Sequence, residues 1–349
     1  MKHSLSKSST ILRMNFDSLL PLLQRALQAR HPLMAAAPNT NAWRLFNGFT
    51  EGLRGVMIER YAESIVIHNL IYPPQVFAPL LPPLGNWLRR ELPQTQSILL
   101  KSRSSNQPAQ KRGTLLYGST PARQILEEGI PYAINLTLNQ DCSFYLDTRN
   151  LRQWIRQHAA GRRVLNTFAY TGSLGVAAAA ADAAHVTQTD QNTTFLKLAQ
   201  TSYNLNDVAM QKITHIPADF FEFAARLRRQ QKLFDLILLD PPVFSRGARA
   251  RVDLQQQYTN LLNKLRPLVA HEGWLIAINN ALFVSGETYL QTINALTNEH
   301  YIRLETLIPI PQDCLGYPPL TPNAFPTDPA PFNHPTKIAV LHIRRKDER

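Results

Sequence analysis

The chain is short of cysteine, of acid and of long apolar runs. Only two cysteines occur among its 349 residues, Cys142 and Cys314, far apart and without the spacing of metal ligands. That argues against a disulfide scaffold and a zinc site, and suits a reducing compartment. No metal is expected. No stretch approaches the roughly 18 apolar residues that a membrane helix needs. Acids number 25 against 37 lysines and arginines, giving a net charge of +12 and a pI near 9.9. An enzyme of small neutral metabolites has little use for this excess, so a polyanionic partner, nucleic acid first, is expected. The basic, serine-rich start has no acid before Asp17 and no signal-peptide core. A cytoplasmic protein is expected on that ground.

Two phosphate-binding loops are missing as well. The chain has no GxGxxG after a strand and no GKS or GKT. It has instead, from Val164 to Asp190, an apolar start, a turn with Thr171 and Gly172, an alanine-rich segment and a second β-branched run ending in Asp190. This reads as strand, tight loop, helix, strand, acid, the first half of an adenosine site on a parallel sheet. The terminal acid suits two ribose hydroxyls. A cofactor with adenosine but no phosphate fits such a loop best, and S-adenosylmethionine (SAM) is that cofactor. An ordinary strand–helix–strand unit with a solvated Asp190 is the plainer alternative.

Farther on, FDLILLDPPVF (Phe234–Phe244) is a short apolar run typical of a strand buried on both faces. It ends in Asp240, Pro241 and Pro242. Prolines cannot continue a central strand, because they lack the N–H donor, and they fix the backbone that presents Asp240. Between these segments lies Asp219, suited either to the adenine amino group or to an N-cap. After the double proline comes RGARAR (Arg246–Arg251). Arg246, Arg249 and Arg251 would flank the reacting centre where nucleic-acid phosphates pass, and Phe244, one step beyond Val243, would stack on a base if it points inward.

Length suggests two folded domains after a helical lead. A helical pattern runs over residues 15–36 within an N-terminal extension of residues 1–40. Residues 41–130 read as a small α/β domain, with strands at Val56–Ile58 and Ser64–Ile67, a helical stretch Gln75–Arg90 and a strand Ser97–Lys101. A further strand is expected at Tyr132–Leu138. Residues 131–349 alternate strand and helix regularly, from Val164–Asn166 through Leu236–Leu239 and Leu275–Asn279 to Lys337–Ile343. The fold class is α/β, a doubly wound Rossmann-like sheet with a smaller N-terminal α/β domain. Residues Pro309–Pro335 read as a long proline-dense loop.

FYLDTR (Phe144–Arg149), NTFAYTG (Asn166–Gly172), the terminal Asp190, FDLILLDPPVF, AINN (Ala277–Asn280) and RLFNGFTEGLRGVMIERY (Arg44–Tyr61) together resemble the bacterial large-subunit ribosomal RNA methyltransferases. That group contains 5-methylcytosine-forming enzymes and the 7-methylguanine-forming domain of a bifunctional enzyme. The resemblance covers about residues 42 to 345. It implies a SAM-dependent methyltransferase of class I fold, acting in RNA methylation and rRNA processing and binding RNA. It also implies roles: Phe144, Asp147 and Arg149 packing beside SAM; Asn166, Phe168, Tyr170, Thr171 and Gly172 near its methionine part; Asp190 on the ribose; Asp219 on the adenine; Asp240, Pro241 and Pro242 bordering the methyl group and target base.

The chain departs from the group in two ways. Only about forty residues precede the central domain, where members often carry a PUA domain. In addition, Asn279 and Asn280 stand where the 5-methylcytosine enzymes have a cysteine, as in the 7-methylguanine enzymes. Cytosine C5 needs a thiolate adduct at C6, whereas guanine N7 already has a lone pair and needs only positioning. Asparagines can hold a base edge, or merely cap a strand end. A purine nitrogen is therefore the expected target. The alternatives are a SAM-dependent enzyme of a non-nucleic-acid substrate, or an inactive SAM- and RNA-binding protein.

Overall fold

The computed structural model describes residues 15–242, 250–281, 284–297, 301–316 and 335–345. They fall into two units. One holds residues 15–146 and 311–316, the other residues 147–310 and 335–345 of those described. The dividing point thus falls at Leu146/Asp147, whereas the sequence alone suggests boundaries at 40/41 and 130/131.

In the first unit, helix α1 (Phe16–Ala36) starts where the Asn15 side chain accepts from Ser18 N, a standard N-cap. Its buried residues Leu19, Leu23, Ala26, Leu27 and Arg30 recur at three- and four-residue spacing, which is one helical face. That face packs into a core with Trp43, Phe46, Ile58, Ile67, Phe77 and Trp87. The helix therefore belongs to this unit's core. The sheet order is β1 (Ala42–Asn47), β2 (Val56–Tyr61), β3 (Ser64–Asn69), β4 (Ser97–Ser102) and β5 (Thr114–Tyr117). All neighbours are antiparallel except β3 and β4. The expected helical stretch is a 3-10 segment, Pro74–Leu80, followed by α2 (Leu81–Glu91).

Strands β6 (Gln124–Glu127) and β7 (Ile130–Ala133) form a hairpin. Its turn places Glu128 at φ 50° and Gly129 at φ 82°, the two positive φ values of a tight hairpin turn. The strand expected at Tyr132–Leu138 is thus corrected: it ends at Ala133, because Asn135 Oδ1 accepts from Thr137 N and turns the chain. Part of the expected long loop is also ordered. Gln312–Leu315 forms one helical turn, with Asp313 Oδ2 accepting from Arg44 N and the Asp313 carbonyl from Arg30.

A buried polar network ties this sheet together. Glu59 accepts from Arg44 Nη2 (2.7 Å), Tyr61 Oη (3.0 Å) and His68 Nε2 (2.8 Å). Burial alone would raise its pKa, but Arg44 and then His68 outweigh it and hold the carboxyl well below the usual range. Burial lowers His68, so the ring is read as neutral and donating through Nε2. Glu59, His68 and Cys142 bring their ligand atoms within 4.8 Å of one another. The Arg44 guanidinium already holds the carboxylate there, and burial pushes the Cys142 thiol far up. The cluster is an ion-pair network around the Glu59 carboxylate, in which His68 Nδ1 is buried without a hydrogen-bond partner among the described residues.

The second unit carries α3 (Arg149–His158), β8 (Arg163–Thr167), α4 (Ser173–Ala179), β9 (His185–Asp190), α5 (Thr193–Leu205), β10 (Ile213–Pro217), α6 (Phe220–Arg229), β11 (Phe234–Leu239), α7 (Ala250–Leu265), β12 (Val269–Asn279), α8 (Gly286–Leu296), β13 (Ile302–Leu307) and β14 (Lys337–Ile343). The sheet order is β10-β9-β8-β11-β12-β14-β13. The first five are parallel, and β14 runs antiparallel to both neighbours. This is the expected doubly wound sheet. Helix α7 gives way to a 3-10 turn at Arg266–Leu268, where Pro267 lacks an amide donor. Strand β12 begins six residues before the expected start and passes an irregularity between Phe234 and Leu236 on its partner, with Glu272 at φ 54°. No helix among the described residues is long and apolar enough to cross a membrane.

The Glu59 network yields a stability prediction. Glu59→Gln leaves Arg44 buried without its carboxylate and should lower stability at pH 7 by about 3–5 kcal/mol. Because the folded pKa lies below the ordinary 4.5, this contribution is present above pH 4.5 and declines as pH falls further. Urea unfolding of both proteins at pH 7 and pH 3 should show the gap narrowing at acid pH; an equal gap at both refutes the ionised-carboxylate reading.

Candidate active site

Strands β8 and β11 lie side by side, with Leu236 opposite Val164 and Leu239 opposite Thr167. The chain leaves β8 toward β9 on one side and β11 toward β12 on the other. This is the point in an open α/β sheet where loops part and ligands bind at the carboxyl ends.

The loop after β8 is tightly wound. Phe168 and Tyr170 both have positive φ, 52° and 50°, and Gly172 has φ 78°. Non-glycine residues reach that region at a cost of about 1 kcal/mol or more and gather at ligand sites. The loop is fastened by Ala169 N to Thr189 O (2.9 Å) and Gly172 N to Ala169 O (2.8 Å). A Cβ at Gly172 would come 2.5 Å from the Ala199 Cβ, and one at Gly175 would strike the Gln188 side chain. Glycine at both positions lets α4 approach β9 and α5. Thr171 is buried. Phe168 stacks on Phe220, and the Tyr170 ring meets the edge of Phe195.

Asp190 closes β9. Its Oδ2 accepts from Tyr170 N (2.9 Å) and its Oδ1 from Asn192 N (2.8 Å). Two backbone amides thus fix the carboxylate, and each oxygen retains acceptor capacity for vicinal hydroxyls. Asp190 pairs in register with Pro217 on β10, so Asp219 emerges beside it. Asp219 caps α6, accepting at Oδ1 from Phe221 N and Glu222 N, while Oδ2 accepts from Gln191 Nε2. The N-cap reading is therefore realised, and Gln191 ties the two acids' loops together. Asn166 is buried and donates to Gln188 Oε1 (2.9 Å), bracing β8 against β9.

The other half comes from β11 and β12. Asn280 Nδ2 donates to Asp240 Oδ1 (2.7 Å), and no described residue hydrogen-bonds to Oδ2. Asn279 Oδ1 accepts from Ala281 N (2.9 Å), shaping the turn that aims Asn280. Pro241 is buried and Pro242 exposed. Burial, reinforced by the nearby Asp147 carboxylate and opposed by Asn280, pushes the Asp240 carboxyl up to about 7. Asp147 itself is half-buried and accepts from Thr336 Oγ1 (2.6 Å). Arg149 is buried at the start of α3. Phe144 lies in the first unit, buried with its ring 5.0 Å from Tyr132. Phe244, Arg246, Arg249 and the Arg251 side chain lie outside the described residues.

Sequence reasoning missed Thr336 and Lys337. Strand β14 is antiparallel, so its first residues reach the catalytic edge, with Lys337 in register with Asn279. The buried Lys337 ammonium donates to Ala281 O (3.2 Å) and to Pro335 O, and so grips the Asn279–Ala281 turn from behind. Burial lowers it to about 8. A lysine opening a terminal strand carries no signal of this on its own.

The model of the S-adenosylmethionine-dependent methyltransferase family matches residues 94–312, and the chain belongs to that family. It is 29% identical over 302 residues to the "Putative ribosomal RNA large subunit methyltransferase YwbD" of Bacillus subtilis, covering 84% of this chain and 75% of that one. It is 30% identical over 236 residues to the ribosomal RNA large subunit methyltransferase K/L of Shewanella oneidensis, covering 64% of this chain and 32% of that protein. The chain thus spans about a third of the K/L relatives' length. Among solved structures it is similar to "SMU.776, a putative methyltransferase complexed with SAH", at a TM-score of 0.80, 23% identity, and 95% and 82% coverage. It also resembles in fold the M. jannaschii tRNA m1G37 methyltransferase, at a TM-score of 0.52, 12% identity, and 84% and 78% coverage.

The cofactor is SAM, and the cleft after β8 and β9 fits it: a fixed carboxylate stands at the end of β9 beside a loop closed by glycine. Asp190 would hold the ribose and Asp219 the adenine, with the Phe168–Gly172 loop near the methionine part. When bound, SAM supplies an electrophilic methyl group on a sulfonium.

Two outcomes follow from this geometry. Asp190→Ala should weaken SAM binding roughly 10- to 100-fold, the loss of charge-assisted hydrogen bonds of about 1.5–3 kcal/mol. Calorimetry giving unchanged affinity would contradict the assignment. Asp240→Asn tests the raised carboxyl. The wild-type acid stabilises the fold while protonated, below its unfolded value near 3.8, and loses this as pH rises through about 7. Asp240 is largely buried but keeps some contact with solvent, so the expected effect is discounted to on the order of 1–2 kcal/mol. Thermal unfolding should show Asp240→Asn gaining on wild type between pH 5 and pH 8; a constant difference across that range refutes the shift.

Proposed function

We propose that the chain transfers a methyl group from SAM to a base of RNA, ribosomal RNA in the cytoplasm, with a purine nitrogen such as guanine N7 as target. The observation that carries this reading is the Asp240–Asn280 pair at the ends of adjacent strands, beside the cleft assigned to SAM. The relatives' names, which specify ribosomal RNA of the large subunit, and the net charge of +12 support the substrate class.

The target atom follows from what the pair can do. Asp240 Oδ1 is engaged by Asn280, leaving Oδ2 to meet a base edge. With its carboxyl near neutrality at physiological pH, that oxygen either accepts from a base N–H or, protonated, donates to a ring or carbonyl acceptor. A purine edge presents both kinds of group. Methylation at cytosine C5 would instead need a thiolate. Both cysteines belong to the first unit and are buried, and Cys142 is held in its thiol form. For a ring nitrogen the protein needs only to align a lone pair with the methyl group, and alignment contributes as much as about 7–11 kcal/mol.

Asn280→Ala should therefore abolish most methyl transfer, by roughly 100-fold or more in kcat, an amount typical of a lost orienting donor, with SAM affinity kept. The readout is labelled methyl transfer to total RNA, followed by mass spectrometry of the nucleosides. A 5-methylcytosine product refutes the nitrogen target, and undiminished turnover of the variant refutes the role of Asn280.

A further inference from the structure

The opposite end of the sheet carries a second cleft, of about 630 Å3. It opens at the amino ends of β8, β9 and β11, beside the C-terminal part of α6. That is the far rim from Asp190 and Asp240. The lining also runs along β10 through Thr214 to Ile216, which pairs with Thr189, while the charged side chains stand at the amino rim, about 15–20 Å, the length of a strand, from the carboxyl rim. The volume lies within the 300–1,000 Å3 range of small-molecule sites.

Its walls combine two characters. The part-exposed Ile216 and the edges of the buried Phe223, Leu227 and Phe234 form its apolar floor, while Arg163, Arg226, Lys232 and His185 supply the ionisable groups. No lining residue is acidic. Burial, and then the Lys232 ammonium, hold His185 below its ordinary pKa. Its Nε2 lies 2.9 Å from Thr214 Oγ1, and the ring is neutral. The positive charge therefore rests on the three long side chains.

These three are not equivalent. Arg163 is neutralised by Asp235, with Nη2 to Oδ1 at 3.0 Å and Nε to Oδ2 at 3.2 Å. Elsewhere on the same rim, Arg344 is paired with Glu272 at 2.8 Å. Arg226 and Lys232 have no salt-bridge partner among the described residues. Arg226 lies over the Phe223 ring, 5.1 Å from its centre, so its guanidinium is held at the apolar wall. The sequence clusters Arg162–Arg163 and Arg226–Arg229 look like separate solvated patches; the fold brings one arginine from each to the same cleft.

Two uncompensated cations above an apolar wall match a ligand with a flat apolar part and an attached phosphate. We propose that this cleft is a remote RNA-anchoring site, holding one nucleotide unit of the substrate strand with its phosphate on Arg226 and Lys232. The inference rests on the RNA reading above. A site at this distance contributes equally to ground-state and transition-state binding, so it acts on KM and leaves kcat alone.

The test compares wild type with Arg226→Gln/Lys232→Gln, and with the charge-keeping Arg226→Lys/Lys232→Arg. The probe is a single-stranded transcript of large-subunit ribosomal RNA. Neither residue lies at the catalytic edge, so SAM affinity should be unchanged and serves as the control for folding. Losing the contact to that one phosphate should flatten the slope of log K against log salt by about 0.7, and raise the RNA KM about tenfold with kcat within twofold. The charge-keeping variant should retain the wild-type slope. If wild type binds no RNA, the functional reading itself fails. If wild type binds and the double glutamine variant keeps its slope and KM, the anchor is refuted while the functional reading stands. Competition by a polyaspartate peptide but not by mononucleotides would overturn it in favour of an acidic protein partner.

Discussion

The parallel pairing of β8 with β11 is the constraint on which the site depends. Both strands are buried along most of their length, and their successors go to opposite sides of the sheet. The loop holding Tyr170 and Gly172 and the turn holding Asp240 must therefore leave from neighbouring positions and diverge. A cleft at that place is a consequence of connectivity, and the residues at its margins inherit their roles from it. Asp190 and Asp219 fall on the side of β9 and β10, Asp240 and Asn280 on the side of β11 and β12. One side holds carboxylates pinned by backbone amides, Asp219 also by the Gln191 side chain. The other holds a carboxyl pinned by a side-chain amide and raised by its surroundings.

That difference in pinning matters chemically. Backbone amides at Asp190 fix an acceptor of constant direction, suited to a neutral polyol. At Asp240 a single amide donor does not offset burial and the neighbouring Asp147, so the carboxyl stays close to its point of half-protonation near pH 7. Such a group exchanges donor and acceptor character at little cost, which is useful beside a base whose edge carries both. Lys337 stands in the same region but faces backbone carbonyls. It maintains the turn without adding a charge partner to Asp240.

Much of this was legible in the amino-acid sequence, for physical reasons. Pro241 and Pro242 stop a central strand wherever it lies. The β-branched run ending in Asp190, and the glycines of the loop before it, carry their geometry locally. The doubly wound class follows from the regular strand–helix alternation. What was not legible depends on partners distant in the chain. Nothing near Asn280 states that it bonds to Asp240 forty residues earlier, and nothing near Thr336 names Asp147. The end of β7 at Ala133 was missed because Ile134 and Leu136 look like continuing strand, while the Asn135 side chain turns the backbone. Helix α3 was missed because its apolar stripe is narrow, with Leu151 and Ile155 buried among arginines. Asp219 shows an ambiguity that sequence alone leaves open, since an acid before a helix caps it whether or not it also meets a ligand.

The two rims of the second unit extend the same logic. A parallel sheet places all carboxyl ends on one side and all amino ends on the other, so chemistry and grip are separated by the length of a strand. Carboxyls at the carboxyl rim are hydrogen-bonded by neutral donors: Asp240 by Asn280, Asp147 by Thr336, Asp190 by two backbone amides. At the amino rim Asp235 and Glu272 offset Arg163 and Arg344, yet Arg226 and Lys232 are left without an acid among the described residues. An uncompensated pair is tolerated when it stays solvated, and it becomes useful when a polyanion arrives and releases its counterions. The excess of twelve positive charges is then more than a solubility feature. Where it is left unpaired, at Arg226 and Lys232, it is the charge on which the proposed anchoring site rests.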